Sequence, residues 1–264
     1  MMKKITITRP GTPDGTQSIQ RVVTLLRELT NSSFRGASCA ELALRTGIDR
    51  TTAHRMLQRL SEEELLSYDE DTRRYSFGRL AREIGLAASE HLNLAQLCKP
   101  ALARIADETG DTVFLMVRSG DDCICADRAM GSYPIKTFVV DVGTCRPLGI
   151  GAGSLAILSA LPEDVADQVI GRNAVRIAEY EDMSLARLHD TMMQARRVGH
   201  VAMDVVRVAG VRAVGVAVVT ASGRPVAAMS IAAIAPRMTS DREKELVKIL
   251  AREAQMIGAE LSQR

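Results

Sequence analysis

The feature that most constrains how this chain can fold is a pair of short, apolar-periodic segments separated by Gly47. Ser38, with Glu41 three residues later, predicts a capping box at the start of the first helix. Gly47 is typical of a helix that ends in the left-handed conformation, and Asp49 is typical of the cap of the next helix. Ala43, four residues before the glycine, is small enough for the two helices to cross. Together these positions predict a helix-turn-helix.

The segments on either side complete this unit. Apolar residues recur at helical spacing from Gln17 to Leu29, which predicts a preceding helix. After the second helix, two short aromatic and aliphatic runs flank the acidic turn Asp69 to Thr72, which predicts a β-hairpin. Three helices and a hairpin describe a winged helix-turn-helix over residues 17–78, preceded by a disordered arm at 1–16.

The remainder of the chain predicts a second domain of the α+β class. An amphipathic helix at 79–94 would link it to the first unit. Residues 95–264 alternate helical segments with strand-rich ones, and "TVFLMVRSGDDCICADRA" and "YPIKTFVVDVG" each predict strands. A hairpin around Ala221 to Arg224 follows, and Ser240 is the expected cap of a C-terminal helix. We therefore expect helices packed on an antiparallel sheet.

The exposed face of the second helix of the helix-turn-helix indicates contact with DNA. Its donors and methyl-bearing side chains suit base edges and phosphates in a major groove. Arginines in the predicted wing would lie beside the phosphate backbone. The alternative is an ordinary solvated helix face with solvent-exposed wing charges. The candidate DNA-contacting residues are Ser38, Arg50, Thr51, Thr52, His54, Arg55, Gln58, Arg73 and Arg74.

The composition of the chain limits the classes of function that the protein can have. A net charge of +2 excludes a generally polycationic nucleic-acid coat but allows a local basic surface. The five cysteines are an odd number, so no disulfide framework is expected. Cys123 and Cys125 are separated by one residue, closer than the usual zinc-ligand pair, which favours packing over metal binding. Without an apolar run long enough for a membrane span, or the apolar core of a secretion signal, we expect a cytoplasmic protein.

The segment "PLGIGAGSLA" invites an enzymatic interpretation that its spacing does not support. The glycines from Gly149 to Gly153 resemble a dinucleotide fingerprint, but Ser154 stands where the last glycine or alanine belongs. Ser154 also lacks the flanking glycines of a nucleophile elbow. Cys145 could be paired with His189 or His200 as a base, but no motif supports such a pair. We therefore expect no catalytic residue, no metal and no cofactor.

The same glycines predict an anion-binding site instead. Small residues at a helix start leave amide N–H groups open to a negative charge, which the helix dipole favours. The alternative is tight packing of the helix on a sheet, which also requires glycine. Asp127 and Arg128 are compatible both with this pocket and with the surface. The candidate residues are Gly149, Gly151, Ala152 and Gly153.

Several stretches resemble the IclR family of bacterial transcriptional regulators, in order and across nearly the whole chain. They are "SIQRVVTLLRELT", "SCAELALRTGIDRTTAHRMLQRLSEEELL", "RYSFGRLAREIG", "RPLGIGAGSLAILSALP" and "VGHVAMDVVRVAGVRAVGVAVVTASGRPVAAMSIAAI". The resemblance implies a winged helix-turn-helix, a linker and a GAF-like effector-binding domain. It also implies homodimers or tetramers on operator DNA. Many members govern the catabolism of aromatic or small organic acids, so the expected effector is a carboxylate.

The resemblance adds to the expected effector pocket Asp204, Val211, Ala213, Ser230 and Ala232. Ala213 and Ala232 stand where some members carry polar groups, which implies a more apolar pocket here. The expected function is thus a sequence-specific DNA-binding regulator that responds to a small molecule. Two alternatives stay open: a regulator whose C-terminal domain serves only assembly, and an enzyme with a DNA-tethering domain.

Overall fold

A computed structural model describes residues 16–30, 32, 36–87, 92–180 and 183–263. The chain divides into two compact units, at residues 1–87 and 88–264. Each unit has a hydrophobic core of its own. The predicted disordered arm, except for its last residue, lies outside the described residues.

The N-terminal unit combines short helices with a two-stranded sheet. Its described elements are α1 (Gln17–Thr30), α2 (Cys39–Thr46), α3 (Arg50–Glu62), β1 (Leu66–Asp69), β2 (Arg74–Phe77) and α4 (Arg79–Ala87). The two strands pair as an antiparallel hairpin with Tyr68 opposite Tyr75. This arrangement confirms the predicted winged helix-turn-helix, in which the hairpin is the wing.

Local capping determines where the helices of the helix-turn-helix begin and end. The Ser38 amide donates to Glu41 Oε2 at 2.7 Å, and the Glu41 amide donates to Ser38 Oγ at 3.3 Å. This is the predicted capping box. Gly47 ends α2 at φ 66°, in the left-handed region. Asp49 Oδ1 accepts from the Thr51 amide at 3.0 Å and so starts α3. The three local signals are confirmed.

The apolar faces of these helices meet in one small core. Ala53 and Leu57 of α3 are fully buried, together with Leu25 of α1 and Leu42 of α2. Tyr75 closes this core from the wing. Because α3 is anchored along its buried side, its opposite side is turned to solvent.

The C-terminal unit is a six-stranded antiparallel sheet with helices on both faces. Its described helices are α5 (Leu92–Thr109), α6 (Ala152–Ala160), α7 (Glu163–Ala178), α8 (Leu185–Val198) and α9 (Ser240–Leu261). Its described strands are β3 (Thr112–Ser119), β4 (Asp122–Met130), β5 (Cys145–Pro147), β6 (Val201–Asp204), β7 (Val211–Val219) and β8 (Pro225–Ile234). The strand order is β5-β4-β3-β8-β7-β6. The predicted α+β class is confirmed.

Strand alternation divides this unit into two cores. Along β8, Met229 and Ile231 pack with α5 and α9, whereas Ala228 and Ala232 pack with α6 to α8. The start of α6 lies directly on the sheet, since a Cβ added at Gly215 of β7 would stand 2.6 Å from backbone atoms of Ala152. Small residues thus bring one helix end against the backbone of the central strands.

The predicted strand at "YPIKTFVVDVG" is wrong. Residues 133–143, called here the 133–143 segment, are irregular, and β5 follows them instead. β5 pairs with β4, so it occupies the position that another strand would need. The local preference of β-branched residues was therefore overridden by the pairing available at this edge.

Side chains, in place of a strand ladder, bind the backbone of the 133–143 segment. Arg146 Nη2 donates to the carbonyl of Val139 at 3.1 Å, and Arg128 Nη1 donates to that of Val140 at 3.4 Å. Thr137 Oγ1 donates to a carbonyl of β8 at 2.6 Å. These bonds hold the segment across the edge of the sheet.

Two further predictions concern helix ends. Thr239 caps α9, where Ser240 was expected: its hydroxyl accepts from the Arg242 amide at 3.3 Å. The predicted linker helix at 79–94 is helical in α4, and α5 begins at Leu92, but residues 88–91 lie outside the described residues. Its continuity stays a prediction. Among the helices that the structure describes, none is both long and apolar enough to cross a membrane.

Candidate nucleic-acid interface and effector cavity

α3 exposes a polar face on the surface of the N-terminal unit. Burial of Ala53 and Leu57 directs the remaining side chains outward. The exposed candidates on this helix are Arg50, Thr51, His54, Arg55 and Gln58, and Thr52 is half-buried beside them. The helix therefore presents a continuous row of donors of the kind that reads base edges.

Arg50 and Arg55 differ from the arginine that follows them on α3. Arg59 is engaged with Glu62 at 3.0 Å and Glu63 at 2.6 Å. Within the described part of the chain, neither Arg50 nor Arg55 forms an ion pair. Their guanidinium groups can bind a phosphate or a guanine without first leaving a carboxylate.

An open groove of about 740 Å³ runs between α1 and α3. Arg21 of α1 lines it together with Arg55 and Arg59 of α3, so the basic surface extends beyond the predicted set. The apolar period of α1 predicted the helix but not this role. Arg21 joins this surface only because residues of both α1 and α3 line the groove, which sequence spacing does not show.

The wing arginines and Ser38 have different surroundings. Arg73 is exposed in the wing turn at φ 54°. Arg74 instead binds Glu41 Oε2 at 3.1 Å and donates from Nε to the Gly36 carbonyl at 3.2 Å. Ser38 is half-buried in the capping box. Arg74 and Ser38 therefore join the wing to α2, and Arg73 is the exposed one of the two wing arginines.

The carboxylate at the centre of this junction is held in its ionised form. The hydrogen bond from the Ser38 amide lowers the pKa of Glu41, and the hydroxyl of Ser38 and the charge of Arg74 lower it further. The side chain of Glu41 is 38% exposed, so water screens part of these interactions.

A small cavity lies between the start of α6 and the sheet in the C-terminal unit. It encloses about 40 Å³. That volume exceeds the roughly 10–15 Å³ needed by one water and is far below the roughly 300–1,000 Å³ of pockets for drug-sized ligands. Its lining residues are Phe114, Met116, Val139, Val140, Arg146, Ile150, Gly151, Ala152, Gly153, Ser154, Val205, Val206, Ala213, Ser230 and Ala232.

The structure brings together only part of the predicted effector set. The candidates that line the cavity are Gly151, Ala152, Gly153, Ala213, Ser230 and Ala232. Gly149 lies outside it, with the methyl groups of Leu188 and Leu158 beside its missing side chain. Asp204 is exposed and lies 3.5 Å from Arg212. Val211 is buried in the same core as the cavity-lining residues but does not line the cavity.

The glycines at the start of α6 have two different surroundings: one is closely packed, and the other leaves the backbone open. A Cβ at Gly153 would lie 2.7 Å from Met116 Cγ, so this position serves close packing. Gly151 has φ 92° and no atom within 4 Å of an added Cβ, so it is open towards the cavity. It also provides no side-chain cap for α6. The first amides of the helix are therefore left without a capping side chain.

The charged residue of the cavity, Arg146, was not predicted from the sequence. It lies on β5 opposite Cys123, and Cys123 is fully buried under α6. Opposite residues of antiparallel strands share a face, so Arg146 turns towards the same interior. The register of β5 was the necessary signal, and the strand was expected in the 133–143 segment instead. Arg128, left open between pocket and surface, lies outside the lining and stacks on Phe138 at 4.5 Å.

The buried thiols have the properties of packing groups. Burial raises the pKa of Cys98, Cys123 and Cys125 to about 12. They therefore stay protonated at neutral pH, whereas a metal ligand or a nucleophile requires the thiolate. The described residues contain no group of three or more His, Cys, Asp or Glu side chains arranged to hold a metal ion.

The fold and the α3 surface define a DNA-binding transcription regulator with a separate C-terminal unit. Residues 18–70 match the IclR helix-turn-helix domain, and residues 86–259 match the C-terminal domain of bacterial IclR transcriptional regulators. The chain belongs to the IclR family of bacterial transcriptional regulators, whose members are regulators and not enzymes. The resemblance seen in the sequence is confirmed.

Relatives match along most of the chain. The transcriptional repressor AllR of Klebsiella pneumoniae is 26% identical over 250 residues, which cover 92% of this chain and 90% of the relative. The transcriptional repressor IclR of Escherichia coli is 23% identical and covers 97% and 93%. A crystal structure of an IclR homolog from Microbacterium hydrocarbonoxydans, complexed with 4-hydroxybenzoate, has a TM-score of 0.72 at 20% identity and covers 94% and 100%. It supports the fold.

Proposed function

We propose that this regulator binds a specific operator through α3 and its wing, and that a small molecule in the C-terminal cavity alters that binding. The observation that carries the first part is the pair Arg50 and Arg55, exposed and without an ion pair among the described residues. Arginine bidentate to guanine is the commonest specific contact in a major groove. Arg73 in the exposed wing turn supports a phosphate contact beside it.

Replacing Arg55 by alanine tests this assignment. An operator is first selected from a pool of random duplexes with the full-length protein. Arg55→Ala should then weaken specific binding by about 1–3 kcal/mol in a gel shift. Arg59→Ala, one turn further and already paired with Glu62 and Glu63, should lose much less. Equal affinity of the parent and Arg55→Ala for the selected duplex would remove α3 from recognition.

We also infer that the operator is bound by a homodimer, or by a tetramer made of two such pairs. One winged helix-turn-helix reads a half-site, so two copies on a near-palindrome are required for specificity. α4 supports such pairing, because its apolar Leu80 and Ile84 are 36% and 53% exposed. Light scattering with and without operator tests this, and a monomer in both would contradict it. A protein that acts on bacterial operators would work in the cytoplasm.

The effector we propose is a small organic or aromatic acid. The mostly apolar cavity with Ser230 and Arg146 in its wall supports this class, and one structural neighbour is complexed with 4-hydroxybenzoate. A ligand of that size requires the cavity to widen. If a thermal-shift screen of such acids finds no ligand while operator binding is intact, the C-terminal unit serves assembly alone.

A further inference from the structure

The cavity wall contains a single charged side chain among the residues described, Arg146. It is half-buried and donates from Nη2 to the carbonyl of Val139 at 3.1 Å. It forms no ion pair with a described carboxylate, whereas the half-buried Arg128 and Arg237 of the same unit pair with Asp141 and Asp111. A guanidinium has five N–H donors, so Arg146 retains capacity for a further acceptor.

Ser230 is a second polar side chain in the cavity wall, and it differs from Ser154, whose Oγ accepts from the Gly149 amide at 2.9 Å. The residue is only 7% exposed, and its hydroxyl has no hydrogen-bond partner within the described residues. It faces the start of α6, because a Cβ added at Gly153 would lie 3.1 Å from its Oγ. The Oγ atom itself is not completely enclosed by protein, so it stays accessible in the cavity that Ser230 lines. Ser230 can therefore bond to a polar ligand atom at this place in the cavity.

Arg146 also binds the part of the cavity wall that would have to move to admit a larger ligand. Val139 and Val140 line the cavity, and their carbonyls are bound by Arg146 and Arg128. At about 40 Å³ the cavity cannot hold an organic acid of several carbons without movement of this wall. The bond from Arg146 to Val139 is therefore one of the contacts that such a movement must break.

We propose that Arg146 recognises the negative charge of a carboxylate ligand, and that its bond to the ligand replaces its bond to Val139 and frees the 133–143 segment. The inference rests on the proposed effector function of this cavity and adds the residue that selects for charge. Apart from the first amides of α6, the rest of the wall is apolar or hydroxyl-bearing, so a carboxylate away from Arg146 would be buried without a full counter-charge, which is costly. Binding of the ligand's charge by Arg146 and widening of the cavity then occur together.

The test uses acids and the matching neutral amides: acetate with acetamide, pyruvate with pyruvamide, and 4-hydroxybenzoate with 4-hydroxybenzamide. Calorimetry on the full-length parent should show at least one acid binding about tenfold or more tighter than its amide, which is about 1.4 kcal/mol. Arg146→Gln should remove that preference. Arg118→Gln is the matched control, because Arg118 also donates to a backbone carbonyl, that of Gly120 at 2.8 Å, but lies outside the lining. It should keep the parent's affinities.

Hydrogen exchange provides a readout that requires no variant. The Gly143 amide donates to the Cys125 carbonyl at 2.8 Å, and the Thr144 amide to the Asp141 carbonyl at 3.0 Å. Saturating acid should speed exchange at these two amides at least about threefold if the segment is freed. The amide compound should not.

The outcomes separate the inference from the function on which it rests. Equal binding of acid and amide by the parent overturns the role of Arg146 and leaves the cavity as an effector site, and so does acid affinity retained in a folded Arg146→Gln. Unchanged exchange at Gly143 and Thr144 with acid bound overturns the release of the segment. Binding of none of the six compounds, with operator binding intact, rejects the carboxylate effector and the inference together.

Discussion

The two proposed recognition sites of this protein, the α3 surface and the cavity of the C-terminal unit, differ in construction. The α3 surface is exposed, and neither Arg50 nor Arg55 forms an ion pair with a carboxylate of the described residues. The cavity of the C-terminal unit is small, at about 40 Å³. Its arginine, Arg146, donates a hydrogen bond to the carbonyl of Val139. Under the proposed function, DNA would therefore bind a surface that is already exposed, whereas an effector would require the cavity to widen.

This difference explains why the second site is suited to switching. A ligand shifts an equilibrium only by the difference in its affinity for the two states. In the narrow form of the cavity a carboxylate of several carbons has no room, so its affinity would differ strongly between narrow and wide forms. At the α3 surface no such second form is required for binding.

The largest expected effect tests whether the two sites belong to separately folding units. Leu57 of α3 is fully buried, and Leu57→Ala should destabilise the N-terminal unit by about 2–5 kcal/mol. A unit of this size has little stability in excess, so operator binding should be lost. Leu44→Ala, at a residue 85% exposed, is the control and should change neither property.

Thermal unfolding followed by circular dichroism decides the matter. Leu57→Ala should shift one transition and leave the other, from the C-terminal unit, in place. A single transition at a lower temperature would show that the two units unfold together. The two proposed sites would then differ in their exposure to solvent but not in the stability of the units that carry them.

Local signals explain why the DNA-binding half was the easier half to predict. Ser38, Glu41, Gly47 and Asp49 act within a few residues of themselves, and each has the predicted role. Arg21 and Arg74 show the limit of such signals. Arg21 lines a groove together with residues of α3, and Arg74 pairs with Glu41 of α2, and both elements are distant in sequence from these arginines.

The cavity could be predicted only in part because its walls come from separate segments. Gly151, Ala152 and Gly153 belong to one glycine-rich stretch, so the sequence predicts them together, and all three line the cavity. Arg146 required the register of a three-residue strand, and local preference placed that strand in the 133–143 segment. Tertiary pairing and side-chain bonds to the backbone decided the outcome, and neither leaves a periodic pattern.

A pair of glycine substitutions sharpens the contrast within the C-terminal unit. Gly151 has φ 92°, a conformation that residues with a side chain adopt only under strain, so Gly151→Ala should cost about 1–3 kcal/mol although space is free. Gly171 lies inside α7 with nothing within 4 Å of an added Cβ. Gly171→Ala should stabilise by roughly 0.5–1 kcal/mol, because alanine favours the helix.

Urea denaturation of the two variants measures this difference. Opposite shifts of the midpoint for the same chemical change would locate the strain at the start of α6, where the cavity opens. Equal shifts would mean that the backbone at Gly151 relaxes at no cost, and the start of α6 would then not be a rigid wall of the cavity.

The smallest effect concerns the charge that joins the wing to α2. The pKa of Glu41 is lowered from its usual value of 4.5, first of all by the Ser38 amide. Its ionised form therefore stabilises the fold fully above that value, and this contribution is lost as pH falls through the lowered folded pKa. Glu41→Gln keeps an acceptor for the capping box but has no charge for Arg74 to bind.

The parent should accordingly exceed Glu41→Gln in unfolding free energy by a few tenths to about 1 kcal/mol at pH 7, the range of an exposed ion pair. The two proteins should converge towards pH 3. Glu64 and Asp69 also have a lowered pKa, held down by Arg79 and by the Thr72 amide. Both proteins retain them, so the difference between the curves belongs to Glu41. A constant gap between parent and Glu41→Gln from pH 7 to pH 3 would show that the junction depends on shape and not on charge.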